Sequence, residues 1–167
     1  MMDRPKFLVD RMLGRLVAWL RIFDYDTKSA LELGLDGDED AGLVDLARRE
    51  GRVLLTRDRA LVDRAVRACA AAVLIQPDDV REQLCELVRH YPLETVPVME
   101  RCTACNALLR KAAAADSERI RLEAPSHIVK EDKEFWVCDR CGKVYWQGSH
   151  WRNIKMMSDE LNRCRPK

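Results

Sequence analysis

The chain has 167 residues, 47% of them hydrophobic and 34% charged, with a net charge of +1. That length holds one ordinary domain and a small module, and the balanced charge excludes a global field for nucleic acid, so any basic surface must be local. No apolar run nears the ~20 residues of a membrane span, and the N-terminus MMDRPKFLVD lacks a signal peptide's apolar core, so a cytoplasmic protein with no membrane partner is expected.

In chain order, residues 6–10 read as a strand and 11–23 as a helix, with Met12, Leu16, Trp19, Leu20 and Phe23 at helical spacing. Residues 25–29 form a weak second strand, and GLDGDED at 34–40 is a turn-rich acidic loop. Residues 41–50 make a helix that Gly51 stops, and RVLLT at 52–56 is a strand. Residues 58–68 are helical, 72–75 a strand, and 78–90 a helix with Val80, Leu84, Leu87 and Val88 inward. This alternation predicts an α/β domain over residues 1–91, a mainly parallel sheet flanked by helices. The stretch YPLETVPVME breaks the pattern with two prolines, so 92–100 reads as a linker. Residues 101–155 then form a cysteine-bearing module with a helical insertion at SERIRLEAP, and 156–167 a tail.

Several apolar runs end in a carboxylate. Asp10, Asp58 and the pair Asp78/Asp79 each follow a strand, and Asp40 opens a helix. In an open parallel sheet the active crevice lies outside the carboxyl ends of the strands, so these residues should converge there. Clustered carboxylates suit Mg²⁺ or Mn²⁺, hard cations that prefer oxygen ligands and activate water on phosphate esters. Each aspartate also precedes a helix and alone reads as an N-cap. Asp36 and Asp38 are not separable from Asp40 by sequence. Arg11, Arg15 and Arg57 flank the same edge and are candidate phosphate contacts; their other reading is solvated surface and ion pairs.

Of seven cysteines, four form two CxxC pairs, Cys102/Cys105 and Cys138/Cys141. Two such knuckles make a closed, structural Cys₄ site for one Zn²⁺. The module should fold with its metal while the α/β domain keeps its own core. Cys69 and Cys85 fall on helical apolar faces and read as small buried hydrophobes, while Cys164 stands alone. After the second knuckle, KVYWQGSHW alternates aromatic and basic residues. Tyr145, Trp146 and Trp151 are candidates for stacking on bases and His150 for phosphate contact, or all pack the module.

The stretches FLVDRMLGRLVAWLRIFDYDT, REGRVLLTRDRAL and RCTACN…FWVCDRCGKVYWQGSHW together resemble the Mut-seven C-terminal ribonuclease family. The resemblance implies a PIN-like nuclease domain followed by a zinc ribbon, and a metal-dependent endoribonuclease acting on RNA. It implies that Asp10, Asp40 and Asp58 bind catalytic Mg²⁺ or Mn²⁺, with Asp78 or Asp79 as the last acidic position. Arg11 stands where a small residue, often glycine, is usual in the family. The alternative expectation is a non-catalytic RNA- or ribosome-binding protein, with ribosomal RNA precursors among its partners, that keeps a vestigial pocket.

Overall fold

The computed structural model describes residues 4–131 and 133–166. Four short parallel strands, β1 (Lys6–Val9), β2 (Thr27–Ser29), β3 (Arg52–Thr56) and β4 (Ala72–Leu74), form one sheet in the order β2-β1-β3-β4. Register pairs Val9 with Leu55 and Leu54 with Ala72. Alternation along the strands sorts the core. Phe7, Val9, Val53 and Leu55 face α1 (Gly14–Ile22) and α4 (Val80–His90), whereas Leu8 and Leu54 face α2 (Glu39–Glu50) and α3 (Arg59–Arg67). The expected helix-covered parallel sheet is therefore present.

Local chemistry shifts several expected boundaries. The first helix starts at Gly14, because Asp10 caps a single 3₁₀ turn over Arg11–Leu13 instead. The second helix starts at Glu39, not residue 41, because the Asp38 carboxylate accepts the Ala41 N–H. Asp40 therefore lies in the first turn with its side chain released from capping. Gly51 ends this helix with φ 61°, a left-handed turn that favours glycine.

The C-terminal part has its own antiparallel sheet, β5 (Arg110–Lys111), β6 (Phe135–Val137) and β7 (Val144–Trp146). The helical insertion is real and double, α5 (Ser117–Glu123) and α6 (Ser126–Lys130). Residues 92–100 form no helix or strand but pack along the α/β domain: Leu93 and Thr95 are buried, Tyr25 Oη donates to the Glu94 carbonyl, and Val98 N–H donates to the Ile22 carbonyl. The expected tail instead continues α7 (His150–Arg163), which packs on α4 and buries Leu161 in the main core.

The lone cysteines are also corrected. Cys69 is exposed, in a turn with φ 56° after α3. Cys85 on α4 is bonded to Cys164 at the end of α7, across 79 residues of sequence. A loop that long is costly to close in the unfolded chain, so the bond should stabilise the fold by about 2–4 kcal/mol. Dithiothreitol should lower the denaturation midpoint accordingly, and Cys85→Ala should remove the difference between reduced and oxidised protein. Among the described residues no helix is long and apolar enough to cross a membrane.

Candidate functional site

The chain runs from β1 out to β2 and then crosses to β3 on the other side, so the switch point lies between β1 and β3. The carboxyl ends of these two strands carry Asp10 and Asp58, the place where parallel sheets build sites. The Asp10 N–H extends the ladder to the Leu55 carbonyl at 3.0 Å. Thr56, fully buried, then joins the two acids. Its hydroxyl donates to Asp10 Oδ2 at 2.7 Å and accepts the Asp58 N–H at 3.0 Å. Asp10 Oδ1 accepts the Arg11 N–H, and Asp58 Oδ1 accepts the N–H groups of Ala60 and Leu61. Both acids thus cap helices, and the cap reading is correct for them; capping is also what fixes their orientation.

Asp40 differs. Among the described residues its carboxylate accepts no hydrogen bond from the protein. Burial pushes its carboxyl up, and the neighbouring carboxylates of Asp38, Asp58 and Asp10 push the same way, with Arg64 opposing. Asp40 therefore senses the charge of Asp10 and Asp58. The three acids do not close into a tight ligand set: among the described residues, the four cysteines alone bring three or more possible ligand atoms together. The donor set still fits a hard cation, since among the described residues an Asp58 oxygen and both Asp40 oxygens have no protein donor.

The remaining acids have other partners. Asp38 forms a two-pronged pair with Arg64, at 2.7 and 3.1 Å. Asp79 caps α4 through the N–H groups of Arg81 and Glu82. Asp78 pairs with Arg57 at 2.5 Å, so the candidate acid and the candidate phosphate contact neutralise each other. Arg11 pairs with Glu39 at 2.6 Å, a partner that sequence reading did not single out. Arg15 is exposed and makes no ion pair among the described residues. Thr56 was also missed; its signal is the polar residue closing an otherwise apolar strand.

The cysteine centre has the geometry of a metal site. The four Sγ atoms lie within 4.8 Å of one another, with Cys102–Cys141 at 3.6 Å and Cys105–Cys138 at 3.5 Å. A tetrahedron of ~2.3 Å Zn–S bonds separates sulfurs by about 3.8 Å. Burial opposes ionisation of Cys102, but hydrogen bonds from the Tyr145 hydroxyl and the N–H groups of Cys105 and Ala104 hold its thiol down at about 7. Burial and the other thiols push Cys105 up to about 12. Four thiolates do not coexist here without a cation, and Zn²⁺ fits the set.

The aromatic run divides. Tyr145 Oη lies 3.1 Å from Cys102 Sγ and 3.2 Å from Thr103 Oγ1, supporting the first knuckle. Trp146 packs on Phe135 against the small module core. A Cβ on Gly148 would fall 2.8 Å from Trp146 Nε1 and 3.4 Å from His150 Cε1, so a larger residue there would force the Trp146 ring to move. His150 and Trp151 open α7, His150 exposed and Trp151 half-buried.

The first knuckle docks on the opposite edge of the sheet from the acids. Arg21, 1% exposed, donates to the carbonyls of Thr27, Thr103 and Ala104 and pairs with Glu32. Asn106 accepts the Thr27 N–H and donates to Asp26, whose carboxylate also binds Arg52. Asp26, Thr27 and Arg52 stand at the amino ends of β2 and β3.

A parallel α/β sheet with acids at its switch point, joined to a four-cysteine metal module, is the architecture these elements define. The chain belongs to the Mut7-C RNAse domain family, whose model matches residues 5–158. Membership carries a nuclease-like function and implies RNA as substrate. No curated protein and no solved structure matches the chain.

Proposed function

We propose that this chain is a PIN-like, metal-dependent endoribonuclease with Asp10, Asp40 and Asp58 as its catalytic carboxylates and Zn²⁺ in its ribbon. The observation that carries the reading is the Asp10–Thr56–Asp58 linkage at the switch point, with Asp40 held in the charge field of both acids. A bound Mg²⁺ or Mn²⁺ supplies a water of lowered pKa and charge stabilisation at phosphorus. Asp10 and Asp58 are oriented by backbone N–H groups and by the Thr56 hydroxyl at the carboxyl ends of β1 and β3. Asp40 in isolation suffers the repulsion of its neighbours, which makes cation uptake favourable. Arg15, which makes no ion pair among the described residues, is placed to hold a phosphate; Arg11 and Arg57 reach one only by leaving Glu39 and Asp78.

The test is cleavage of single-stranded RNA by the zinc-loaded chain. Cleavage should require Mg²⁺ or Mn²⁺ and fall at least a hundredfold in Asp10→Asn and Asp58→Asn. Asparagine still caps helices, so melting temperature and zinc content should stay near those of the parent. Undiminished cleavage in both variants would remove the carboxylates from the reaction. The second reading, RNA or ribosome binding with a vestigial pocket, is favoured by the Arg11–Glu39 pair beside Asp10. It requires that millimolar Mn²⁺ leave the melting temperature unchanged while RNA binding stays salt-sensitive.

A further inference from the structure

Between the end of α1, the 92–100 segment, the first knuckle and the start of α7 lies a cleft of about 170 Å³. Val98, Met99 and Trp151 give it apolar and aromatic walls, and Tyr145, His150 and Arg101 give it polar edges. Arg101 donates Nη1 to the Asn106 carbonyl, and its Nε faces Asp24 Oδ1 at 3.3 Å without completing a hydrogen bond. Its Nη2 has no protein acceptor among the described residues. A second cleft, lined by Lys143 and Trp146, shares Tyr145 and His150 with the first. Neither cleft belongs to the carboxylate site, which lies beyond the other end of α1.

We infer that the smaller cleft binds a single unstacked nucleobase of the RNA, with the adjoining cleft taking the neighbouring sugar and phosphate at Lys143. The inference rests on the ribonuclease reading for the identity of the polymer, but not on its chemistry. The cleft is large enough for one planar ring, and Arg101 and His150 at its edges offer polar partners to a base. Sequence-tolerant RNA contacts are built this way, from an aromatic or guanidinium plane beside a cationic groove. From Asp10 to Ile22 the chain climbs twelve residues of largely helical rise, about 18 Å. A base held here is therefore anchored a few nucleotides away from the carboxylate edge. The pocket is an anchor remote from the scissile bond.

The experiment uses the full zinc-loaded chain carrying Asp10→Asn, with no added divalent cation, so that no cleavage is needed. Twelve-nucleotide oligouridine containing 4-thiouridine is irradiated with the protein, and the linked peptides are identified by mass spectrometry. Crosslinks are expected in the segments holding Met99, Tyr145 and Trp151. Val98→Trp fills the cleft from a half-exposed position and should abolish them, with affinity reduced about tenfold. His150→Ala, at an exposed site, should weaken binding several-fold while circular dichroism stays unchanged. Crosslinks confined to other segments, or binding unaltered in both variants, would overturn the pocket. Because the probe protein is inactive, a chain that never cleaves RNA still passes this test, and a working nuclease without these crosslinks fails it.

Discussion

Stripping zinc, or replacing Cys138 by serine, is expected to unfold the ribbon and to loosen the far edge of the main sheet with it. The ribbon's own core holds few buried apolar side chains: Ile120, Ala124, Ile128, Val137 and Val144 beside Cys102 and Cys138. A core that small does not stabilise a fold unaided, and structural Zn²⁺ sites in finger peptides supply about 10–16 kcal/mol at neutral pH. Sequence reading had the α/β domain indifferent to this loss. The docked knuckle says otherwise. Without it, Thr27 loses the acceptor for its N–H, Arg21 loses the carbonyls of Thr103 and Ala104, and β2 becomes a bare edge strand. Hydrogen exchange on Cys138→Ser should therefore speed up at Thr27–Ser29 as well as throughout β5–β7. The helix α7, held by Leu161 and the Cys85–Cys164 bond, should keep its protection at the C-terminal end. Unchanged exchange in β2 would mean that the two parts fold independently.

What sequence made legible, and what it did not, follows from the range of the interactions involved. The apolar strands and the helical faces were readable because burial leaves a period in neighbouring residues. The two CxxC pairs were readable because one tetrahedron sets their spacing. Asp38 and Asp40 were not separable, since the choice of cap is settled by Arg64, which grips Asp38 from another helix. Thr56 looked like one more strand residue until the register set it beside Asp10. The disulfide needed α4 and α7 to be neighbours, which no local pattern encodes. Helix α7 itself was legible and passed over. Trp151, Ile154, Met157 and Leu161 recur every three or four residues, yet a small metal module does not by itself require a following helix. Arg21 was hidden too, as one of two arginines on a mostly apolar helix.

Arg21→Met should be among the most damaging single changes outside the cysteines. The guanidinium is buried, so its removal strands three carbonyls, on Thr27, Thr103 and Ala104, that water does not easily reach. Each unsatisfied buried carbonyl costs about 1–3 kcal/mol, against a total stability of about 5–15 kcal/mol for a typical domain. Glu32 is the exposed half of the ion pair, 43% accessible, so Glu32→Gln should cost far less: Arg21 keeps its carbonyls and the amide still accepts a bond. Denaturant midpoints of the two variants separate these cases, and equal losses would assign the energy to the ion pair instead of the carbonyl set. The same contact also makes a reciprocal demand. If the knuckle stabilises the sheet through Arg21, the sheet must stabilise the zinc-bound knuckle by the same free energy. Arg21→Met should therefore lose zinc to a competing chelator faster than the parent chain, although the substituted side chain is not a ligand and stands on a helix of the other domain.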